Sequence, residues 1–307
     1  MIGVSEAMRQ VAALLARAAG SDCAILIEGE SGTGKELVAR HLHTAGPRRD
    51  QPFIPVNCAG VGEALFESQF FGHLRGSFTG ADRDMLGWVR SAEGGTLLLD
   101  EVSEIPLGLQ AKLLRVLDDG EVMPVGATAP RRVDVRFIAA TNRQMKEEVV
   151  RGRFRLDLYH RLNVVGIRLP PLRDRTEDIG PLLDHFVARY AAKYARPAIR
   201  MSPQVLATLG RYPWPGNVRE LVAWVERLYV TGLSPEASAA ALVEGEAGGV
   251  GLPSTGATAP VMTLEEAERL AILRAMKATD NKLNEAARLL GTHRNTLSRK
   301  LQLYHVA

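Results

Sequence analysis

Three short apolar runs, "AILIE" (24–28), "GTLLLDE" (95–101) and "VRFIAATN" (135–142), each end in polar residues and lack the strict alternation of a half-solvated strand. Such runs predict strands buried on both faces, as in a parallel sheet. Segments of helical period separate them: "ELVARHLH" soon after the first and "LQAKLLRVLDDG" (109–120) after the second. Strand and helix in alternation predict an α/β fold, a parallel sheet covered by helices. After "LPPLRDR" (169–175) the strand pattern stops, and "DIGPLLDHFVARYAAKY" and "VRELVAWVERLYV" predict a smaller all-α unit. The double proline is its expected hinge.

Residues 245–262, "GEAGGVGLPSTGATAPVM", hold nothing to build a core and predict a linker. Beyond it Thr263 and Glu266 form a capping-box pattern ahead of apolar residues at helical spacing, announcing a third unit. The expected divisions are 1–170, 171–244, 245–262 and 263–307.

Composition narrows the class. With 307 residues, 46% hydrophobic and 24% charged, the chain can bury a sizeable core and reads as globular. Cys23 and Cys58 lie far apart without metal-ligand spacing, so neither a disulfide framework nor a zinc site is expected, and a reducing cytoplasm fits. The start lacks a signal-peptide pattern, and no run approaches the roughly 20 apolar residues of a membrane span, so membrane insertion is not expected. Of 38 Lys/Arg and 35 Asp/Glu, residues 263–307 hold eight and five, leaving 30 of each before them. The cationic excess therefore belongs to the tail, where it suits phosphate contacts or a solvated helix face.

"GESGTGKE", Gly29, Glu30, Ser31, Gly32, Thr33, Gly34, Lys35 and Glu36, follows the first strand and opens a helix. The glycines let backbone N–H groups converge on a phosphate, the helix N-terminus adds partial positive charge, and Lys35 supplies a mobile cation. Glu36 stands where a Ser/Thr magnesium ligand is usual. The second strand ends in Asp100 and Glu101. Asp100 is suited to hold magnesium through water, Glu101 to polarise the water that attacks a γ-phosphate. Thr141 and Asn142 end the third strand and can reach the same phosphate, although a strand-end turn reads similarly. "RFRLDLYHRLNVV" offers Arg153, Arg155 and Arg161, either for transition-state phosphate oxygens or for pairing with Asp157.

The tail "NKLNEAARLLGTHRNTLSRKLQLY" (281–304) reads as helix, turn at Gly291, helix, with Leu297 and Leu301 inward. As a helix-turn-helix it would present His293, Arg294, Asn295, Ser298 and Arg299 to a major groove, with Lys300 and Lys282 near backbone phosphates. A dimerising helical hairpin has the same outline. "FGHLRGSFTGADRD" places Phe78 among glycines and hydroxyls, and composition alone favours burying that ring.

Taken together, "GESGTGKE", "FGHLRGSFTGA", "GGTLLLDE", "LPPLRDR", "WPGNVREL" and the helix-turn-helix, in this order and nearly end to end, resemble the bacterial enhancer-binding proteins, AAA+ activators of sigma-54 RNA polymerase. The resemblance implies an AAA+ P-loop ATPase with a parallel sheet core, an α-helical lid and a C-terminal Fis-type helix-turn-helix. It implies ATP and Mg2+ as ligands, the sigma-54 RNA polymerase holoenzyme and enhancer DNA as partners, and a homo-oligomeric ring, expected to be a hexamer. It assigns Gly76, Ser77, Phe78, Thr79, Gly80 and Ala81 to sigma-54 contact and Asn57 to restraint of Glu101. Thr141 and Asn142 become sensor I, Arg155 and Arg161 reach a neighbouring subunit's nucleotide, and Arg219 is the lid's sensor II arginine.

Family members commonly carry Glu at the Glu36 position. The chain departs from the family at Ser77, usually alanine, at Gln69, usually glutamate, and at Arg90, where an acidic residue is common. The segment layout is similar to that of short members restrained by a separate regulatory protein acting in trans. Rival readings are a sigma-70 regulator with a vestigial ATPase and an AAA+ remodeller of another protein.

Overall fold

In the computed structural model Ile25 and Ile27 point to one face of a sheet and Leu26, between them, to the other. It describes residues 2–243 and, in the tail, 272, 275, 276, 279, 282–289, 292 and 294–303. The linker 245–262, Thr263, Glu266, Gly291 and His293 lie outside the described residues. Residues 1–247 form one compact unit and 248–307 a second.

In chain order the first unit runs α1 (Glu6–Ala19), β1 (Ile25–Glu28), α2 (Lys35–Thr44), β2 (Phe53–Asn57), α3 (Glu63–Phe71), α4 (Trp88–Ser91) and β3 (Thr96–Asp100). It continues with α5 (Leu107–Asp119), β4 (Glu121–Val122), β5 (Arg131–Arg132), β6 (Arg136–Thr141), α6 (Met145–Val150), α7 (Leu156–Leu162) and β7 (Val165–Arg168). Five strands form a parallel sheet in the order β2-β3-β6-β1-β7, as the apolar runs predict.

Strand side chains alternate between faces. Ile25, Ile27, Leu98, Ile138 and Ala140 join Leu15, Val38 and Leu42 of α1 and α2. Leu26, Leu97, Leu99, Phe137 and Ala139 join Phe66, Phe70, Leu113 and Leu158 on the opposite side. Pro55 sits within β2, and an edge strand tolerates it because no ladder bond is required on its open side. Arg136 breaks the apolar run of β6 yet is only 1% exposed. Its guanidinium donates to Ala18 O (3.0 Å), Ala19 O (3.3 Å) and Leu42 O (3.4 Å), where α1 and α2 end. A cation there satisfies carbonyls that a helix end leaves unpaired and faces the negative ends of two helix dipoles.

Beyond Pro170 and Pro171 come α8 (Ile179–Tyr194), α9 (Pro203–Arg211), α10 (Asn217–Thr231) and α11 (Pro235–Val243). They enclose Trp214, Trp224, Tyr229, Leu183 and Leu209. Ser202 caps α9 by accepting from Val205 N, and Pro203 fills the first turn, where no N–H is needed.

In the second unit the helices Leu283–Leu289 and Arg294–Leu303 pack through Ala286, Ala287 and Leu297, with Ile272, Ala275 and Leu301 alongside. The small alanines permit close approach, the packing a helix-turn-helix requires. Arg294, Asn295 and Arg299 are exposed, Ser298 and Lys300 half-buried, and Lys282 exposed beside Glu285.

Candidate functional site

Because all five strands run the same way, Glu28, Asn57, Asp100, Thr141 and Arg168 finish at one edge of the sheet. In open α/β sheets this edge is where ligands bind. The chain leaving β1 turns through Gly29–Gly34 and enters α2 at Lys35. Gly34 has φ 105° and Gly32 φ 79°, backbone that side chains rarely adopt. A Cβ on Gly32 would also come within 2.2 Å of Gly216 O, so loop and lid touch backbone to backbone.

The Lys35 ammonium donates to Gly29 O (2.8 Å) and Glu30 O (3.3 Å) and is 7% exposed. Burial pushes its pKa below the ordinary lysine value, while the Glu101 and Asp100 carboxylates hold it up. A phosphate would take over both hydrogen bonds and supply the negative charge that offsets the penalty burial places on the ammonium. Thr33 Oγ1 donates to Glu30 O (2.8 Å), closing the turn. Glu36 points along α2 and pairs with Arg40 (2.8 Å).

Glu101 occupies left-handed backbone, φ 53° and ψ 47°. For a non-glycine residue this costs of order 1–3 kcal/mol and is found where surrounding structure over-determines it. Its carboxylate accepts from Asn142 N (3.2 Å), and its amide donates to Asp100 Oδ1 (3.1 Å). The Thr141 hydroxyl is engaged with Ser103 (3.0 Å) and accepts from Arg143 N (3.1 Å). Asn57 is the register partner of Asp100, but its Oδ1 accepts from Ala59 N (2.8 Å). Among the described residues no hydrogen bond joins Asn57 to Glu101; the Asn142 amide occupies the carboxylate instead.

The three arginines turn to their own chain. Arg153 grips the buried Glu148 (2.6 and 2.7 Å), not Asp157, and holds that carboxyl below its usual range. Arg155 pairs with Asp157 (2.7 Å), and Arg161 with Asp118 (2.9 Å) and Leu117 O (2.8 Å). The Arg155 and Arg161 side chains are about half exposed (44% and 47%), and neither bonds to the Gly29–Gly34 loop.

The lid reaches the loop at more points than Arg219 alone. Arg219 donates to Ser31 Oγ (2.9 Å). Asn217 contacts Glu30 and Ser31, Arg173 forms a two-pronged pair with Glu30, and the buried Arg175 donates to Thr33 O (3.1 Å). Asp178 in turn accepts from Val4 N, Ser5 N and Ser5 Oγ, tying the start of α1 to the same turn. Sequence reading passed over Asn217, Arg173 and Arg175, although "WPGNVREL" and "LPPLRDR" contain them. Two arginines just behind the double proline were the available signal.

Away from the site, Phe78 is 45% exposed and stacks edge-on against His73 with centroids 5.0 Å apart, so burial is the wrong expectation for it. The tip Gly76–Ala81 is closed by Gly76 N to Ala81 O (2.8 Å) and Ala81 N to Phe78 O (3.1 Å). Thr79 is exposed there. Gly76 and Gly80, at φ 79° and 96°, make the turn possible. The Ser77 hydroxyl is buried without a hydrogen-bond partner, and a Cβ on Gly126 would lie 2.7 Å from Ser77 Cβ. Gln69 is half-buried in α3; nothing in the structure explains Arg90, whose half-buried side chain makes no hydrogen bond or ion pair among the described residues.

No cluster of three or more His, Cys, Asp or Glu that could hold a metal ion occurs among the described residues. The donor set beside Lys35 is Asp100 and Glu101, enough for an ion that keeps waters and shares phosphate oxygens. No helix among the described residues is long and apolar enough to cross a membrane.

Residues 1–168 match the Sigma-54 interaction domain, 173–245 the AAA+ ATPase lid domain, and 263–304 the bacterial regulatory proteins of the Fis family. The transcriptional regulatory protein ZraR of Klebsiella oxytoca is 46% identical over 301 residues, covering 98% of this chain and 68% of that protein. The DNA-binding transcriptional regulator NtrC of Rhizobium meliloti is 42% identical over 338 residues, covering 98% and 69%. NtrX from Brucella abortus, solved in complex with ATP, superposes with a TM-score of 0.74 at 32% identity, covering 98% of this chain and 68% of that one.

Proposed function

The chain belongs to the sigma-54-interacting AAA+ transcriptional activators, and on that premise we propose that it hydrolyses ATP at Gly29–Lys35 to drive sigma-54 RNA polymerase from a closed to an open promoter complex. The observation that carries this reading is an exposed Phe78 tip built into the same compact unit as a buried, carboxylate-flanked Lys35.

In this reading the loop N–H groups, Lys35 and the N-terminus of α2 bind the phosphates. Glu101 takes a proton from the attacking water as its oxygen bonds to the γ-phosphorus. The bond to the β–γ bridging oxygen breaks, and ADP leaves with the electron pair. Thr141 and Asn142 hold the strand-end geometry around Glu101. Asp100 would hold Mg2+ through water, and that ion would neutralise phosphate charge.

Arg155 and Arg161 are half-exposed and detached from their own loop, which supports donation to a neighbouring protomer in a closed homo-oligomeric ring. Exposed Arg294, Asn295 and Arg299 would read enhancer DNA with His293 and Ser298, while Lys282 and Lys300 contact backbone phosphates. Binding upstream raises the ring's effective concentration at the promoter by looping. Work on the bacterial chromosome puts the protein in the cytoplasm, and a separate partner acting in trans would restrain it.

Open-complex formation on a sigma-54 promoter, read by permanganate footprinting of melted thymines, tests this. The wild type with ATP opens the promoter, and ATP omission leaves it closed; a promoter that stays closed with the wild type and ATP sinks the proposal.

A further inference from the structure

Asn217 is fully buried, yet it is the first residue of α10 and sits at φ 52°. Among side-chain residues, asparagine is one of the few that enter this left-handed region readily. Its carboxamide is saturated in three directions. Oδ1 accepts from Leu172 N (2.7 Å) in the turn behind the double proline. Nδ2 donates to Glu30 Oε2 (3.2 Å) and to Ser31 O (3.0 Å), both in the phosphate loop. The network fixes the amide orientation, because the flipped form would set an N–H against the Leu172 N–H and an oxygen against two oxygens.

One side chain therefore joins the hinge, the lid helix and the loop. Glu30 contributes as the shared acceptor: Arg173 donates to it with both terminal nitrogens and holds its carboxyl below the usual range. Its carboxylate is turned toward the lid. Two residues after Asn217, Arg219 donates its amide to Gly32 O (3.3 Å) and its guanidinium to Ser31 Oγ (2.9 Å). Where Arg219 stands relative to the loop thus depends on how Asn217 seats the first turn of α10.

We infer that Asn217 is a positioning residue that seats the lid on the phosphate loop through Glu30 and Ser31, and so sets the reach of Arg219 toward bound nucleotide. This rests on the reading that ATP binds at Gly29–Lys35. Asn217 touches none of the reacting atoms, so its loss falls on nucleotide affinity and KM more than on kcat.

The full chain is titrated with a fluorescent ADP analogue and its steady-state ATPase measured, for wild type, Lys35→Ala, Asn217→Asp and Asn217→Gly. Asn217→Asp keeps the acceptor for Leu172 N but loses the donor and sets a carboxylate against Glu30. It weakens nucleotide binding and raises KM about tenfold, with kcat within about threefold. Asn217→Gly accepts the same backbone and removes only the amide, with an effect of the same sign.

Nucleotide affinity within twofold of wild type in Asn217→Asp or Asn217→Gly, while Lys35→Ala has lost binding, overturns the inference. Wild-type binding by Lys35→Ala would instead remove the nucleotide reading on which the inference stands.

Discussion

Glu101→Gln separates proton transfer from every other role of its position. Glutamine is isosteric and keeps an oxygen to accept from Asn142 N, the contact seen at 3.2 Å. The left-handed backbone at φ 53° is borne equally by both residues, so the turn Val102–Glu104 that follows keeps its geometry. What is lost is the base and its negative charge. A positioned general base supplies roughly 10²–10⁴ in rate, or about 2.7–5.5 kcal/mol of barrier at about 1.4 kcal/mol per decade. The ground state moves the other way. Glu101 is the largest charge holding the Lys35 ammonium up, and it stands on the side an anionic triphosphate must approach. Removing it takes a like charge from the ligand's path, so affinity stays unchanged or tightens severalfold. Phosphate release at saturating ATP and a fluorescent-ATP titration on the same preparation measure the two quantities. Turnover within threefold of wild type, or a parallel loss of affinity and turnover, would refute the assignment of Glu101 as base.

Thr79→Ala should retain most ATP hydrolysis and lose promoter opening, since the tip transmits work and holds no chemistry; parallel ATPase and footprinting assays compare the two. Ser77→Ala removes a buried hydroxyl without a partner, so the melting temperature should hold or rise by a few degrees in a thermal scan. Arg136→Met strips the charge from three helix-end carbonyls, at about 2–4 kcal/mol, which lowers the melting temperature by roughly 5–12 °C for a domain of this size. The Tyr212 hydroxyl, half-buried and donating to Glu220 (2.9 Å), has its pKa pushed up from 10.0 to about 12 by burial and the carboxylate beside it. A raised folded-state value means the proton is bound more tightly in the native lid. That contribution is complete below pH 10, is lost between 10 and 12, and should vanish from the pH–stability curve of Tyr212→Phe.

The sheet was legible because burial on both faces writes continuous apolar runs, and the loop because glycines at 29, 32 and 34 precede a helix that opens on lysine. What stayed hidden depends on partners distant in the chain. Asn217 reads locally as a residue before a helix, and its meaning lies in Glu30, 187 positions away. Arg136 looks like a flaw in a strand until the helix ends it serves are known, 94 to 118 residues distant. The hairpin of β4 and β5 went unread because two-residue strands carry no periodicity. Phe78 reverses the compositional expectation, since the glycine turns on either side hold a ring outside the core that propensity alone would bury.

The route from site to tip follows from where the insertion sits. Residues 58–95 leave the sheet at the end of β2 and return at the start of β3, the strand that ends in Asp100. The outgoing arm is attached to the site itself: Cys58 N donates to Asp100 O (2.9 Å), and Ala59 N to Asn57 Oδ1 (2.8 Å). The two arms then meet at Gly72 and Gly87. A Cβ on Gly87 would lie 2.4 Å from Gly72 N, and one on Gly72 would lie 2.5 Å from Met85 O. Below this pinch Trp88 packs edge-on against Phe66 and Phe70, at 5.9 and 6.3 Å between centroids. The insertion is therefore a clamped pair of arms seated on an aromatic cluster, with the glycine turns of the tip beyond His73. A displacement at the Asp100 end cannot dissipate in slack between the arms. On the proposed function it would tilt α3, about 14 Å long at 1.5 Å per residue, as one body, and carry the exposed Phe78 ring with it.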